Sequence, residues 1–491
     1  MQFDILWQQL QGLWLYDPKQ PMLFNSGTFW LLFLLFLAFY RYLYHRIQAR
    51  LVYVVVFSLF FYYKSSGWYV LVFGGLIVLN YYLGLWLSRL RVPDNRRLLL
   101  TLGIVSNLSF LLYFKYTNFL VQQIFYLMGG DFERLDIFLP IGISFYTFQV
   151  ISYLVDVYRG EIAPERSLLG FAFYLSFFPQ LVAGPIVRAR DFLPQIRRPI
   201  TFDLITLHTG TYLVLKGLFK KAVIADYLAQ YVDIVYSNPV GYSGFENLMA
   251  MYAYTLQIYC DFSGYSDMAI GLGLWMGFHL PENFRSPYQS GSITEFWRRW
   301  HISLSFWLRD YLYIAMGGNR KGVAKQYVFL MLTMLIGGLW HGASWSFVVW
   351  GGAHGLGLMV HKWFVAQTPA RWRESEVGLV LGWLLTFHFV AVLWVFFRNA
   401  DFALALGSLW QIVAHFDLAF VAPFWAARPW VCVMLLLGFT LHFIPHWFKQ
   451  EALAWFVGWP LIVKIIFWVL VVQLIIQFQS ETVQPFIYFQ F

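Results

Sequence analysis

The sequence predicts an all-α protein that crosses the membrane many times, and three observations predict it. Sixty per cent of the residues are hydrophobic and only 12% are charged, against about a quarter charged in a soluble domain. Apolar runs approaching twenty residues recur from one end of the chain to the other, the length that about 30 Å of hydrocarbon demands. Trp, Tyr and Phe make up 21% of the chain, the ring types that settle at membrane–water interfaces. Together these predict about ten to twelve transmembrane helices, with re-entrant and interfacial helices between them, in one membrane-embedded domain over 1–491.

Residues 1–20, "MQFDILWQQLQGLWLYDPKQ", lack a basic leader and a small-residue cleavage site, so they do not read as a signal peptide. Phe3, Ile5, Leu6, Leu10, Leu13 and Leu15 instead predict an amphipathic helix on the membrane surface, ended by Asp17 and Pro18. Spans follow at 28–40, 51–63, 68–88 and 99–114. Arg41, Arg46 and Arg50 after the first, and Arg89, Arg91, Arg96 and Arg97 after the third, place those loops in the cytoplasm. The formal charge of +9 is thereby an orientation signal, and nucleic acid is excluded as a partner.

A further span at 137–155 leads into "FYLSFFPQLVAGPIVRARDFLPQIRR" (173–198). Pro179, Gly184 and Pro185 interrupt it, and broken backbone at membrane depth survives only inside protein or along a cavity. The stretch is therefore read as re-entrant. The run 247–278 carries Gln257, Asp261, Ser263, Ser266 and Asp267. Its carboxylates suit either ion coupling in a transporter or partnership with Arg298, Arg299 or Arg309; the pairing is the cheaper arrangement. Residues 282–325 mix Arg285, Arg298, Arg299, Arg309, Arg320, Lys321 and Lys325 with aromatic anchors, and should lie along the cytoplasmic interface. The remaining apolar runs are 168–187, 247–260, 324–348, 376–397, 430–444 and 460–478.

Histidines in apolar surroundings carry the chemical signal, because ionisable groups at membrane depth are expensive. His301 sits in "WRRWHISLSFWLRD", and His341 and His354 in "GGLWHGASWSFVVWGGAHG". Gly338 and Gly342, like Gly351 and Gly355, form small-xxx-small pairs that let helices approach closely. That pattern also permits a functional reading, in which the glycines clear space around His341 and Trp340 and Trp345 wall a pocket. On an unbroken helix His354 lies about 220° around from His341, which gives it a structural role. Cys260 and Cys432 offer no disulfide framework or CxxC metal site. No HExxH, GxSxG or Walker pattern occurs, so no metal and no bound cofactor is expected.

The runs "EFWRRWHISLSFWLRDYLYI" (295–314), "GGNRKG" (317–322) and "GGLWHGASWSFVVWGGAHG" (337–355) resemble the membrane-bound O-acyltransferase superfamily. With "LPIGISFYTFQVISYLVDVYRG" (139–160), "FPQLVAGPI" (178–186), "QIYCDFSGYSDMAIG" (257–271), "LPENFRSPY" (280–288) and "PFIYFQF" (485–491), the sequence is similar to the bacterial alginate O-acetyltransferase branch. The resemblance implies a ring of tilted helices around a central tunnel, with the catalytic core in 139–360. It implies acyl transfer to a hydroxyl, His341 matching the family's histidine and His301 a second position filled by His, Asn or Asp. Trp340, Gly338, Gly342, Trp345, Asp261, Arg298, Arg299, Arg309 and Asn319 are the expected lining.

The implied donor is an acyl thioester such as acetyl-CoA. The implied acceptor is an extracytoplasmic polysaccharide or a separate periplasmic transferase, at the bacterial inner membrane. Three alternatives remain: a D-alanyl transferase for teichoic acid fed by a carrier protein, a transporter, and a non-catalytic scaffold.

Overall fold

The computed structural model describes residues 12–18, 21–182, 184–399, 401–478 and 486–487, and all of its regular structure among them is helical. Most of the surface helix expected over 1–20 lies outside the described residues. Among the described residues, six helices are long and apolar enough to cross a membrane: Ile47–Ser66, Tyr69–Arg89, Pro93–Leu127, Val323–His341, Glu376–Arg398 and Leu461–Phe478. Two bent pairs, Phe402–Ala414 with Leu418–Ala427 and Pro429–Phe443 with His446–Gly458, raise the count to eight if each is one span.

This is fewer than the ten to twelve read from apolar runs, and the differences have local causes. The 28–40 run becomes Gly27–Leu43 and the 137–155 run Ile143–Arg159, each of 17 residues, about 25 Å at 1.5 Å per residue. The 247–260 run falls inside the 32-residue helix Gly244–Trp275, which carries Glu246, Asp261 and Asp267. The 324–348 run is two helices, Val323–His341 and Trp345–Gln367.

The residues group into two compact units, Met1–Val214 with Met268–Pro281, and Leu215–Asp267 with Glu282–Phe491. Two of the boundaries between them fall inside the helices Leu204–Leu218 and Gly244–Trp275, and the third follows Pro281 in a non-helical stretch.

In the first unit, Ser26 caps Gly27–Leu43 by accepting from the Phe29 N–H, and Pro93 opens its helix where its missing N–H costs nothing. Buried Asn80 and Asn107 exchange paired amide hydrogen bonds of 2.9 and 2.8 Å between neighbouring helices, so neither side chain is stranded in apolar surroundings. The stretch 173–198 is broken as its prolines predict. Leu168–Ser176 has nine residues, Phe178–Leu181 a single turn, and Ala189–Ile196 eight; none is long enough to span. Arg50, fully buried, closes the end of that last helix by donating to the carbonyls of Ile196 (2.5 Å) and Arg198 (3.0 Å). A helix end inside protein needs such a partner for its orphan carbonyls.

The second unit is built on the hairpin of Val323–His341 and Trp345–Gln367. The glycines are its contact surface. A Cβ on Gly338 would lie 2.4 Å from the Phe347 carbonyl oxygen and 3.0 Å from the Gly351 Cα. A Cβ on Gly351 would meet the Met334 carbonyl oxygen at 2.4 Å. This is close backbone packing of the small-xxx-small type.

Candidate active site

Val323–His341 ends on His341 itself, and extended residues at Gly342 and Ser344 turn the chain into the next helix. The break delivers the imidazole to a buried position, 2% exposed, among aromatic rings. Its centroid lies 4.9 Å from Trp340, 5.1 Å from Trp350 and 5.2 Å from Phe397, all edge-on.

His301 reaches the same place from another segment. Ser292 starts the short helix Ile293–Arg299 by accepting from the Glu295 N–H, and Glu295 returns to accept from the Gly291 N–H, a near relative of the capping box. After Trp300 the chain enters the left-handed region at His301, φ 42°, and starts Ile302–Trp307. The imidazole caps that helix, Nδ1 accepting from the Leu304 N–H at 3.2 Å. A neutral ring so held carries its proton on Nε2, and presents a donor there. Strain of order 1–3 kcal/mol at such a φ persists only where surroundings enforce it. Buried Asn283 enforces it: its carbonyl accepts from the Ile302 N–H, its Oδ1 accepts from the Ser303 hydroxyl at 2.9 Å, and its Nδ2 donates to Ser266 Oγ. His301 is fully buried, 4.7 Å from the Phe262 ring and 6.1 Å from Trp340. Trp340 thus stands against both imidazoles.

One ring of this cluster, Trp350, was not marked out by the sequence, and the place of His354 in it was not foreseen. Trp350 is fully buried, and packs edge-on against both His341 and His354, the latter at 4.6 Å. His354 Nδ1 accepts from the Trp297 indole N–H at 3.3 Å. The 220° argument assumed one continuous helix. The break after His341 removes that premise, and His354 joins the same aromatic cage. The signal was in the sequence: glycine, alanine and serine follow His341 directly.

Several residues expected in the lining have other places in the structure. Gly338 and Gly342 do not clear space beside His341. Gly338 is the helix-crossing point described above, and a Cβ on Gly342 would lie 2.0 Å from the Phe347 ring. Trp345 is 57% exposed at the start of its helix, so Trp350 and Trp340 are the indoles at the site. The arginines are engaged locally or turned outward: Arg299 pairs with Glu295 at 2.5 Å, Arg309 with Asp310 at 2.6 Å, and Arg298 is exposed. Asn319 accepts from the Tyr313 hydroxyl at 2.5 Å and from the Gln326 amide. Asp261 is paired as expected, but with Lys221 at 2.5 Å, and its second oxygen accepts from the Ile487 N–H. Asp267 takes Lys220 and Lys216 at 2.8 and 3.1 Å. The lysines that take these carboxylates lie on Leu204–Leu218 and the π-helical turn Phe219–Ala225 that follows it; Arg299 and Arg309 already hold carboxylates of their own segment.

An all-helical chain with several candidate membrane spans, whose buried imidazoles gather on shared indoles, is a polytopic membrane protein. The model of the membrane-bound O-acyltransferase family matches residues 95–398, most of the chain, and includes all three histidines. The chain belongs to that family and is an acyltransferase of its O-acetyltransferase branch. It is 43% identical to a probable alginate O-acetylase of Pseudomonas putida over 78% of this chain and 79% of that one. It is 40% identical to a peptidoglycan O-acetyltransferase of Helicobacter pylori over 72% of each. A teichoic acid D-alanyltransferase of Bacillus subtilis is 29% identical over 53% of this chain and 69% of its own.

Proposed function

We propose that this enzyme takes acetyl from a cytoplasmic thioester, acetyl-CoA in the simplest case, for O-acetylation of an extracytoplasmic polysaccharide. It does so at the bacterial inner membrane, either directly or through a periplasmic transferase. The observation that carries this reading is the meeting of His341 and His301 on the Trp340 indole. The similarity to the alginate and peptidoglycan enzymes supports the acceptor class.

The roles follow from the geometry. His341 takes the proton of the attacking hydroxyl. The alkoxide adds to the thioester carbonyl, and the carbonyl π electrons move onto oxygen. His301, its Nδ1 occupied by the Leu304 N–H, donates from Nε2 to that oxyanion. Collapse restores the carbonyl, expels the thiolate and returns the His341 proton to sulfur. Removing a donor from an oxyanion typically costs about 10²–10³ in rate. His341 ends its helix, where the carbonyl end favours the positive charge a base acquires. The surrounding rings keep out water, which would otherwise hydrolyse the thioester.

Purified enzyme in proteoliposomes, given [14C]acetyl-CoA on one face and polysaccharide on the other, should transfer label. His341→Ala should accumulate normally and transfer none. Equal transfer by His341→Ala would overturn the assignment. Activity with a D-alanyl carrier thioester and none with acetyl-CoA would move the enzyme to the other donor class.

A further inference from the structure

Three lysines of the second unit stand near one another, and two of them share a carboxylate. Lys216 and Lys220 share Asp267, at 3.1 and 2.8 Å. Lys220 also donates to Ser263 Oγ at 3.1 Å and stands 5.1 Å over the Tyr259 ring. The other face of this group is made by His442, 4.4 Å from Tyr259. The His442 carbonyl accepts from Lys449 at 2.9 Å, and Lys449 also donates to Ser286 Oγ at 2.7 Å. His442 and Tyr259 thus connect Lys449 to Lys220. Nearby Glu282 is taken by Arg285 at 2.6 Å. Of these groups Lys216, Lys220, Lys449 and Arg285 are positive and Asp267 and Glu282 negative, two positive charges in excess.

Like charges held together in a partly dry setting repel one another unless an anion joins them. The group is also reachable: the Lys216 and Lys220 side chains are 35% and 18% exposed, and Lys449 is half-buried. The deeper ion group beside it has the opposite balance, Lys221 lying between Asp226 and Asp261. The excess of positive charge is thus confined to the accessible group. Ser286 adds a second mark. It and His301 are the two non-glycine residues at positive φ among the described residues, and residues held in such conformations cluster at functional sites. At φ 44°, Ser286 presents its hydroxyl to Lys449.

We infer that Lys216, Lys220, Lys449 and Ser286 form a binding site for a phosphate group. Two sources carry that chemistry: the phosphopantetheine phosphate of the thioester donor, common to coenzyme A and to acyl carrier proteins, and the headgroup phosphate of a membrane lipid. The donor assignment rests on the proposed acetyl transfer; phosphate binding by itself does not.

The test compares three donors on the full-length enzyme: S-acetylpantetheine, S-acetyl-4′-phosphopantetheine and acetyl-CoA. Wild type should show a lower KM once the phosphate is present. Lys449→Gln and Lys216→Gln should each raise KM for the two phosphorylated donors about tenfold, the scale of one charge-assisted hydrogen bond. Both variants should leave kcat and the KM for S-acetylpantetheine unchanged, and the exposed Lys325→Gln should change nothing. If KM stays level while native mass spectrometry shows loss of a bound phospholipid from Lys449→Gln, the phosphate belongs to a lipid. Equal KM values for all donors with unchanged lipid content would overturn the site. A wild type inactive with all three donors would defeat the proposed acetyl transfer instead, and the phospholipid count then decides the phosphate site alone.

Discussion

His341 and His354 meet on one indole: their ring centroids lie 5.1 and 4.6 Å from that of Trp350. The two imidazoles belong to different helices, and the break at Gly342 and Ser344 folds one back beside the other. Their environments nevertheless differ. His354 is tied by the Trp297 indole N–H within the interior of its helix, whereas His341 stands on a helix terminus.

That difference predicts separable phenotypes. His354→Ala removes the acceptor of a buried indole N–H and leaves a cavity beside Trp350. Such losses cost about 2–4 kcal/mol, so thermal stability in detergent should fall. Transfer should persist at reduced rate because Trp350 still supports His341. Complete loss of transfer at unchanged melting temperature would place His354 in the chemistry, and it is read against His341→Ala by thermostability and acetylation together.

The glycine substitutions should act on folding. Gly338→Leu and Gly342→Leu drive side chains into the Phe347 backbone and ring, so both should accumulate poorly and elute as aggregates in fluorescence-detected size exclusion. Gly352→Leu is the control, since a Cβ there meets only a Leu335 methyl at 3.4 Å. A monodisperse, inactive Gly338→Leu protein would return that residue to the substrate path.

How much of this was legible in the sequence depends on whether the signal is local. Helix class, the break at Pro179–Pro185 and the placing of His341 in apolar surroundings are properties of short windows, and those windows were informative. Asn283 was legible only as part of "LPENFRSPY", because its role is to hold the turn at His301, which no local pattern reveals. The pairing of Asp261 was read correctly as a need and wrongly as a partner. Burial of a carboxylate demands a cation, but Lys221 and Arg309 are equivalent on paper until the helices are placed. The packing of His354 beside His341 on Trp350 was not legible, since periodicity places two residues only as far as their helix runs unbroken.

The Lys221 group separates ion coupling from scaffolding. Lys221→Met would leave Asp226 and Asp261 buried without their cation, a loss of about 3–5 kcal/mol, and the protein should fail to accumulate. Asp261→Asn retains the acceptor for the Ile487 N–H and leaves Lys221 its bond to Asp226 at 2.7 Å. It should fold and keep most of its transfer activity. A stable Asp261→Asn protein that had lost all activity would support a coupled ion instead.

The segment 282–325 should face the cytoplasm, on its arginines and lysines. Both native cysteines, Cys260 and Cys432, are buried, so the labelling background is low. Arg320→Cys and Lys325→Cys, both at exposed positions, should react with an impermeant maleimide only after spheroplasts are lysed. Labelling of intact spheroplasts would invert the topology and with it the side from which the thioester enters.

His301 offers the sharpest chemical test, because two functions of its ring separate by substitution. One is structural: it adopts φ 42° and its Nδ1 accepts from the Leu304 N–H at 3.2 Å. Asparagine does both well, since it tolerates the left-handed region and caps helices through its side-chain oxygen. Its amide NH₂ also supplies a donor, although one displaced from the imidazole Nε2. Alanine supplies neither. His301→Asn should therefore keep wild-type stability and lose part of kcat, about tenfold, with KM for the donor unchanged. His301→Ala should lose about 10²–10³ in kcat, the cost of a missing oxyanion donor, and some stability with it. The decisive comparison is between these two variants at equal protein level in a single-turnover assay. If both fall equally in rate, the ring acts through its shape and not through its Nε2 proton. If Asn is as stable as wild type and retains the larger share of the rate, the donor role stands.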